Sequence, residues 1–171
     1  MADETLLDAD IRRAAMERSL LEPFSPEVLK GASYDIRVGK TAIVVLPERE
    51  GGYVRIDVER DGSLEIPVGR SAVIYSLEKV YLPADMKGRM SMRSYFAIKG
   101  LLYNGGIIDP GYRGYLFFTV TNMGPSLVSL AYAERFVTTE FVSMGRPAFT
   151  VYNDGIEITE IPTEKLPPLP K

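Results

Sequence analysis

The chain contains no cysteine and no histidine among its 171 residues. The first absence removes disulfide frameworks, thiol nucleophiles and zinc–thiolate sites. The second removes Ser-His-Asp triads, histidine general bases and histidine-rich metal centres. Any catalysis therefore has to draw on carboxylates, Lys, Arg, Tyr, backbone amides or a metal that the substrate brings. No stretch approaches the roughly 18 consecutive apolar residues of a membrane span. The opening MADETLLDADIRR carries acids instead of an apolar run, so a soluble, cytoplasmic protein with no membrane partner is expected. Positive charge is not in surplus either. Lys and Arg number 20 against 23 Asp and Glu, a formal net charge of -3, so no basic field draws in nucleic acid and a bound anion has to be held by a local site.

What is present is material for a sizeable core: 46% of the residues are hydrophobic, which predicts one domain over residues 1–171. Residues 1–31 read as a helical segment. Asp8 and Asp10 precede Ile11, Ala14, Ala15 and Met16 at helical spacing, as candidate N-cap carboxylates of one amphipathic helix. Ser25, Pro26 and Gly31 then bracket a single short helical turn. From Ala32 onward the pattern shortens. YDIRV, TAIVVL, YVRIDV, SLEIPV, AVIYSL, GYLFFTV and ERFVTTEFV are short runs rich in Val, Ile, Tyr, Phe and Thr between Gly, Pro, Asn and Asp, which predicts a mainly β sandwich or barrel. Asp61-Gly62, between YVRIDVER and SLEIPV, predicts a tight hairpin. The proline-rich residues 160–171 are expected to form an extended arm.

Three stretches carry groups suited to chemistry. In GRMSMRSYFAIKG, residues 88–100, Arg93-Ser94 opens a short apolar stretch that ends at Lys99-Gly100. This predicts a helix of one or two turns, with Ser94 near its N-cap and Gly100 as its stop. Free N–H groups there, with an Arg fork and a hydroxyl, would cradle a phosphate; a capped helix with a surface arginine fits the same spacing. In NGGIIDPGYRGYLFF, residues 104–118, Asp109 stands before Pro-Gly. Either it starts a turn, or it is a partly desolvated carboxylate placed to take a proton from water, with Tyr112 offering a ring face to a sugar or base. In GASYDIRVG, residues 31–39, alternation puts Asp35 and Arg37 on one strand face, where the plainest expectation is a solvent-facing ion pair.

LLDADIRRAAMERSLLEPFSPEVLKGASYDIRVG, YLPADMKGRMSMRSY, GGIIDPGYRG and AERFVTTEF, in this order and spanning most of residues 6–142, resemble the trimeric dUTPase and dCTP deaminase superfamily. The N-terminal third resembles the deaminase branch more closely. The resemblance implies a dUTPase-like β-sandwich or jelly roll with an N-terminal helix and a short internal helix. It also implies a homotrimer whose sites, at subunit interfaces, bind a deoxypyrimidine nucleoside triphosphate together with the Mg2+ that the nucleotide delivers. Arg93 and Ser94 match the family's phosphate-binding Arg-Ser pair. Asp109 matches the aspartate that, in dUTPases, orients or deprotonates the attacking water, and Tyr112 matches the residue that stacks under the deoxyribose. Asp35 matches the acid that helps to organise the metal–phosphate region. Asn104 and Gly106, on the hairpin expected to recognise the pyrimidine edge, and Thr119, on the strand after DPG, complete the implied substrate-binding set.

The chain departs from the deaminase pattern at position 119. Deaminases carry there a Glu that shuttles protons for attack on cytosine C4, and a threonine cannot accept and return a proton near neutral pH. Ile98 stands where the pattern has a second Arg, Tyr95 where it has a small residue, and Thr138 where the fourth motif has Gln. The hairpin before Asp109 is slightly short, and the glycine-rich closing arm of many dUTPases is missing from IPTEKLPPLPK. Thr119 argues against deamination, and the intact Asp109/Tyr112 pair favours a hydrolase of dUTP diphosphatase type, cleaving dUTP to dUMP and pyrophosphate with Asp109 activating water, although the missing arm and the altered fourth motif count against it. Two alternatives stand beside it. One is a nucleotide-binding or structural homologue without turnover, its pocket filled by Tyr95 and Ile98; the other is a dCTP deaminase giving dUTP.

Overall fold

A computed structural model describes residues 3–46, 48 and 52–161 of the chain. The chain opens with β1 (Glu4–Thr5), α1 (Asp8–Arg18), β2 (Leu21–Glu22), a 3-10 turn (Pro26–Val28) and β3 (Leu29–Lys30). Next come β4 (Ser33–Val45), β5 (Tyr53–Asp57), α2 (Val58–Asp61), β6 (Ser63–Ile66), β7 (Ser71–Tyr81) and β8 (Met86–Met92). They are followed by α3 (Ser94–Ile98), β9 (Leu101–Tyr103), β10 (Gly106–Ile108), β11 (Arg113–Asn122), β12 (Val128–Ala131), β13 (Arg135–Ser143) and a second 3-10 turn (Tyr152–Gly155).

Eleven of the strands form one curled sheet whose central path runs β10-β8-β13-β4-β7-β11-β9, and β12 pairs with β6 in a separate two-stranded sheet. The curl is made by β4. Its first half pairs antiparallel with β13, its second half pairs with β5 and β7, and its register to β7 slips between Val38 and Ala42. YDIRV and TAIVVL, expected as two strands, are thus one continuous strand with a bulge. Gly39 lies at the slip because nothing larger fits: a Cβ there would sit 2.3 Å from the Ser76 carbonyl oxygen. Between the two halves of the curl, alternate residues of each strand meet in a common core. Tyr34, Phe96, Phe118, Phe136 and Phe141 are fully buried, with Phe136 centred 5.1 Å from Phe96 and 5.8 Å from Phe118. Each large apolar side chain buried in this way contributes about 2–3 kcal/mol. The expected mainly β, dUTPase-like sandwich is therefore what the chain forms, with the N-terminal helix and the short internal helix both in place.

Several local expectations are corrected. Asp8 and Asp10 lie inside the first turn of α1, after Leu7 as N-cap; there they complement the positive end of the helix, and the Asp10 carboxylate accepts the Leu7 N–H at 3.4 Å. Ile11, Ala14 and Ala15 are buried, but Met16 is exposed. Asp61-Gly62 does not close a hairpin. The Asp57 side chain accepts the Arg60 N–H at 3.1 Å and starts a helical turn, which Gly62 ends at φ +84°, so β5 leaves to pair with β4 and β6 with β12. The expected extended arm falls for the most part on residues 162–171, outside the described residues. Among the described residues no helix is long and apolar enough to cross a membrane.

Burial also sets an alkaline limit on this fold. Loss of hydration pushes the phenols of Tyr103 and Tyr34 from 10.0 up to about 12, with the Glu78 charge adding to the effect on Tyr34. The folded chain therefore holds these protons more tightly than the unfolded chain does. The associated stability is fully present below pH 10 and is lost as pH rises towards 12. The melting temperature is expected to fall across that interval, and more shallowly in Tyr103→Phe; a flat profile would contradict the assignment.

Candidate active site

The Arg-Ser stretch is anchored by the core. β8 delivers Arg93 to the N-cap position of α3, Phe96 is buried beneath the helix, and Gly100 ends it at φ +91°, as expected. Ser94 is the first helical residue and is exposed. With only five residues, α3 is too short for its backbone ends to bind an anion strongly, so side-chain cations have to do so. The Arg93 N–H donates to the Phe136 carbonyl at 3.1 Å, and Arg93 Nη1 donates to the Arg135 carbonyl at 3.3 Å. Arg93 Nε stands 3.6 Å from Asp35 Oδ2, and Lys30 Nζ lies 2.9 Å from the same oxygen. Asp35 is fully buried; its Oδ1 accepts the Thr138 hydroxyl at 2.8 Å, while Oδ2 receives no well-aligned hydrogen bond. Two cations thus meet one carboxylate, leaving a positive surplus at the surface where Ser94 is exposed.

This cradle differs from the sequence expectation in three respects. Asp35 and Arg37 share a strand face but do not pair, because Arg37 Nε is bound at 2.6 Å by the buried Glu78 of β7. Lys30 was not anticipated. It enters because the turn ends at Val28, short of the stop expected at Gly31, and β3 then folds back on β4 with Lys30 opposite Ser33. Tyr95 and Ile98, expected to fill a pocket, are 53% and 86% exposed, with Lys99 Nζ 4.1 Å from the centre of the Tyr95 ring. Removing the guanidinium in Arg93→Ala is expected to weaken binding of a nucleoside triphosphate about ten- to a hundredfold, read by calorimetry. Unchanged affinity would show that the phosphates bind elsewhere.

The second group lies on a cleft of about 970 Å³ lined by Asp109, Tyr112 and Thr119, with Phe117, Tyr152 and Glu157 among the neighbouring walls. Asp109 does begin a turn. The Tyr112 N–H returns to the Asp109 carbonyl at 3.1 Å, and Gly111 sits at φ +79°, so the turn is closed by main chain and not by the carboxylate. The carboxylate makes no hydrogen bond or ion pair among the described residues, and Asp109 is exposed, not partly desolvated as expected. Tyr112 is buried; its hydroxyl donates to the Tyr115 carbonyl, burial pushes its phenol well above the usual range, and its ring lies 5.2 Å from that of Tyr152. The ring face expected to meet a sugar is therefore shared with Tyr152. Thr119 is exposed on β11, opposite Val73 of β7. The hairpin expected to carry Asn104 and Gly106 does not form, because β9 pairs with β11 and β10 with β8; Asn104 lies on the link between β9 and β10 and Gly106 opens β10, both exposed and neither lining the cleft.

Within one chain the two groups stand apart. Ile108, just before Asp109, is opposite Gly88 of β8, whereas Arg93 follows the other end of that strand. Five residues of strand separate these levels by about 17 Å.

A curled sheet that carries an Arg-Ser cradle at one end of β8 and an Asp-Pro-Gly-Tyr turn at the other places the chain in the dUTPase and dCTP deaminase superfamily. Residues 5–136 match the family described as dCTP deaminase-like, and the chain belongs to that family. It is 43% identical over 138 residues to the dCTP deaminase of Thermococcus gammatolerans, covering 81% of this chain and 83% of that one. It is 40% identical over 138 residues to the dCTP deaminase of Pyrococcus abyssi, covering 81% and 85%. A dCTP deaminase, dUMP-forming, of Corynebacterium kroppenstedtii is 29% identical over 163 residues, covering 88% and 87%. Among solved structures, the 2'-deoxycytidine 5'-triphosphate deaminase of Agrobacterium tumefaciens superposes with a TM-score of 0.70 at 18% identity, over 84% of this chain and 49% of that one. The chain thus spans about half of that protein's length. The EIAV dUTPase superposes with a TM-score of 0.50 at 20% identity, over 90% of this chain and 98% of that one. At these identities the two structures show the fold alone.

The relatives overturn the hydrolase expectation. Those at 40–43% identity are dCTP deaminases, so a dUTP diphosphatase is not the reading this chain supports. The Asp109–Tyr112 turn that argued for hydrolysis is set by Pro110 and Gly111, a backbone device that does not discriminate between water attack on phosphorus and on carbon.

Proposed function

We propose that the chain binds dCTP and deaminates its cytosine ring, working as a homotrimer. Membership of the dCTP deaminase-like family gives the reaction class. The observation that carries the chemistry is the carboxylate of Asp109, without a partner among the described residues, on a cleft large enough for a nucleoside. Water adds to cytosine C4, forming a C–O bond; breaking the C4–N bond then releases ammonia and leaves a uracil ring. The base that takes the water proton has to return it to the departing amine. Thr119 cannot do so near neutral pH, so Asp109 carries the proton in both directions. Lys30, Arg93 and Ser94 hold the phosphates. Because the cradle and the cleft are far apart within one chain, a complete site takes the cradle of one copy and the cleft of the next.

Magnesium does not fit as a resident ion. Among the described residues no group of three or more acids could hold a metal, and Asp35, the acid expected near a metal, already faces two cations. Any Mg2+ belongs to the triphosphate. Thr119, exposed where a proton-carrying side chain would serve, favours a second reading, nucleotide binding without turnover. Ammonia measured during incubation with dCTP separates the two. Release in step with dCTP consumption supports deamination; saturable binding with no ammonia selects the second reading.

A further inference from the structure

Glu78 lies on β7 with no accessible surface and touches neither cradle nor cleft directly. Its Oε2 accepts the Arg37 N–H at 2.9 Å, and its Oε1 accepts Arg37 Nε at 2.6 Å and the Tyr34 hydroxyl at 3.5 Å. Tyr34 is also fully buried, and its hydroxyl oxygen accepts the Ser25 N–H at 3.0 Å. A relay thus runs from Ser25 through Tyr34 to Glu78.

Ser25 opens the 3-10 turn Pro26–Val28, and β3 follows at once, with Leu29 opposite Tyr34 and Lys30 opposite Ser33. On the outer side, Arg135 Nη2 donates to the Glu27 carbonyl at 2.6 Å, and the Arg135 carbonyl accepts from Arg93 Nη1 at 3.3 Å. The segment that carries Lys30 is therefore held from outside by a residue that also holds Arg93, and from inside by the relay. The relay is unfavourable as packing alone. Burial pushes the Glu78 carboxyl upward, opposed by the hydrogen bonds and charge of Arg37, and an apolar residue of similar size would fill the space without that penalty.

We infer that Glu78, acting through Tyr34, is a positioning residue for the phosphate cradle: it fixes the Ser25–Lys30 segment so that Lys30 and Arg93 converge on Asp35. The inference rests on the cradle's being a phosphate site. Without the Tyr34 hydroxyl the Ser25 amide loses its acceptor, the turn loosens, and the Lys30 ammonium is no longer held 2.9 Å from Asp35. The incoming anion then has to order the cation itself, and affinity falls.

The test uses the full chain and inorganic tripolyphosphate, with affinity read by isothermal titration calorimetry and folding checked by circular dichroism. The wild type is expected to bind. Tyr34→Phe, which deletes one hydroxyl and preserves the ring, is expected to fold and to bind roughly three- to tenfold more weakly. Glu78→Gln is expected to lose a similar factor, and if it does not fold, Tyr34→Phe decides. A folded Tyr34→Phe with wild-type affinity overturns the positioning role and leaves the cradle intact. No binding by the wild type removes the cradle, and the inference with it.

Discussion

Asp109→Asn is expected to lower ammonia release from dCTP by at least about a hundredfold while changing dCTP affinity by less than about twofold. Asparagine keeps the size of the side chain and cannot take a proton from water. The Asp109 carboxylate makes no hydrogen bond or ion pair among the described residues, and its turn is closed by main chain, so the exchange leaves the fold undisturbed. The effect should therefore fall on the rate alone, a pattern that marks a group needed in the transition state and not for binding. The same variant probes assembly. Mixed with Arg93→Ala under conditions that exchange subunits, at dCTP too dilute to saturate Arg93→Ala, it should give more activity than the two variants show separately, because some shared sites then combine an intact cradle with an intact cleft. Wild-type turnover by Asp109→Asn would remove the proposed proton carrier.

Thr119→Glu is expected to raise the deamination rate by at least about tenfold. Position 119 is exposed on β11 and lines the cleft together with Asp109, so a longer acidic side chain can enter the cleft without being buried in the core. A second carboxylate would divide the work: one group takes the proton from water and the other delivers one to the leaving amine. General acid–base groups contribute 10²–10⁴-fold each when well placed, and a tenfold gain allows for imperfect placement. The cost to stability at an exposed strand position is within about 0.5 kcal/mol. An unchanged rate with dCTP still bound would show that proton transfer at this wall of the cleft does not limit turnover.

The strand content was legible because β-branched and aromatic runs between turn residues require a pleated, half-buried surface, and those runs became β4, β7, β11 and β13. Boundaries were less legible. Gly39 reads as a break between two strands, whereas its lack of a Cβ lets β4 pass against Ser76 without stopping. Asp61-Gly62 reads as a hairpin, but Asp57 caps a helical turn first, and local turn chemistry cannot reveal which strands will pair across the sheet. At the site, Arg93, Asp109 and Thr119 were visible as residue types in informative surroundings. Lys30 and Glu78 were not, since an ion pair formed across strands leaves no period in the sequence. The choice between hydrolysis and deamination was illegible for a related reason. It depends on where a base and a phosphate chain lie relative to one free carboxylate, and the cradle and the carboxylate lie at opposite ends of β8.

The most direct test of the proposed activity is the identity of the base after turnover. The protein is incubated with dCTP and Mg2+, the nucleotides are separated by anion-exchange chromatography, and each is assigned by mass and absorbance. The account predicts a deoxynucleotide in which uracil has replaced cytosine, formed in step with ammonia, whether it keeps its triphosphate or is recovered as dUMP. Cytosine retained in every nucleotide recovered, from protein shown to bind dCTP, would contradict it.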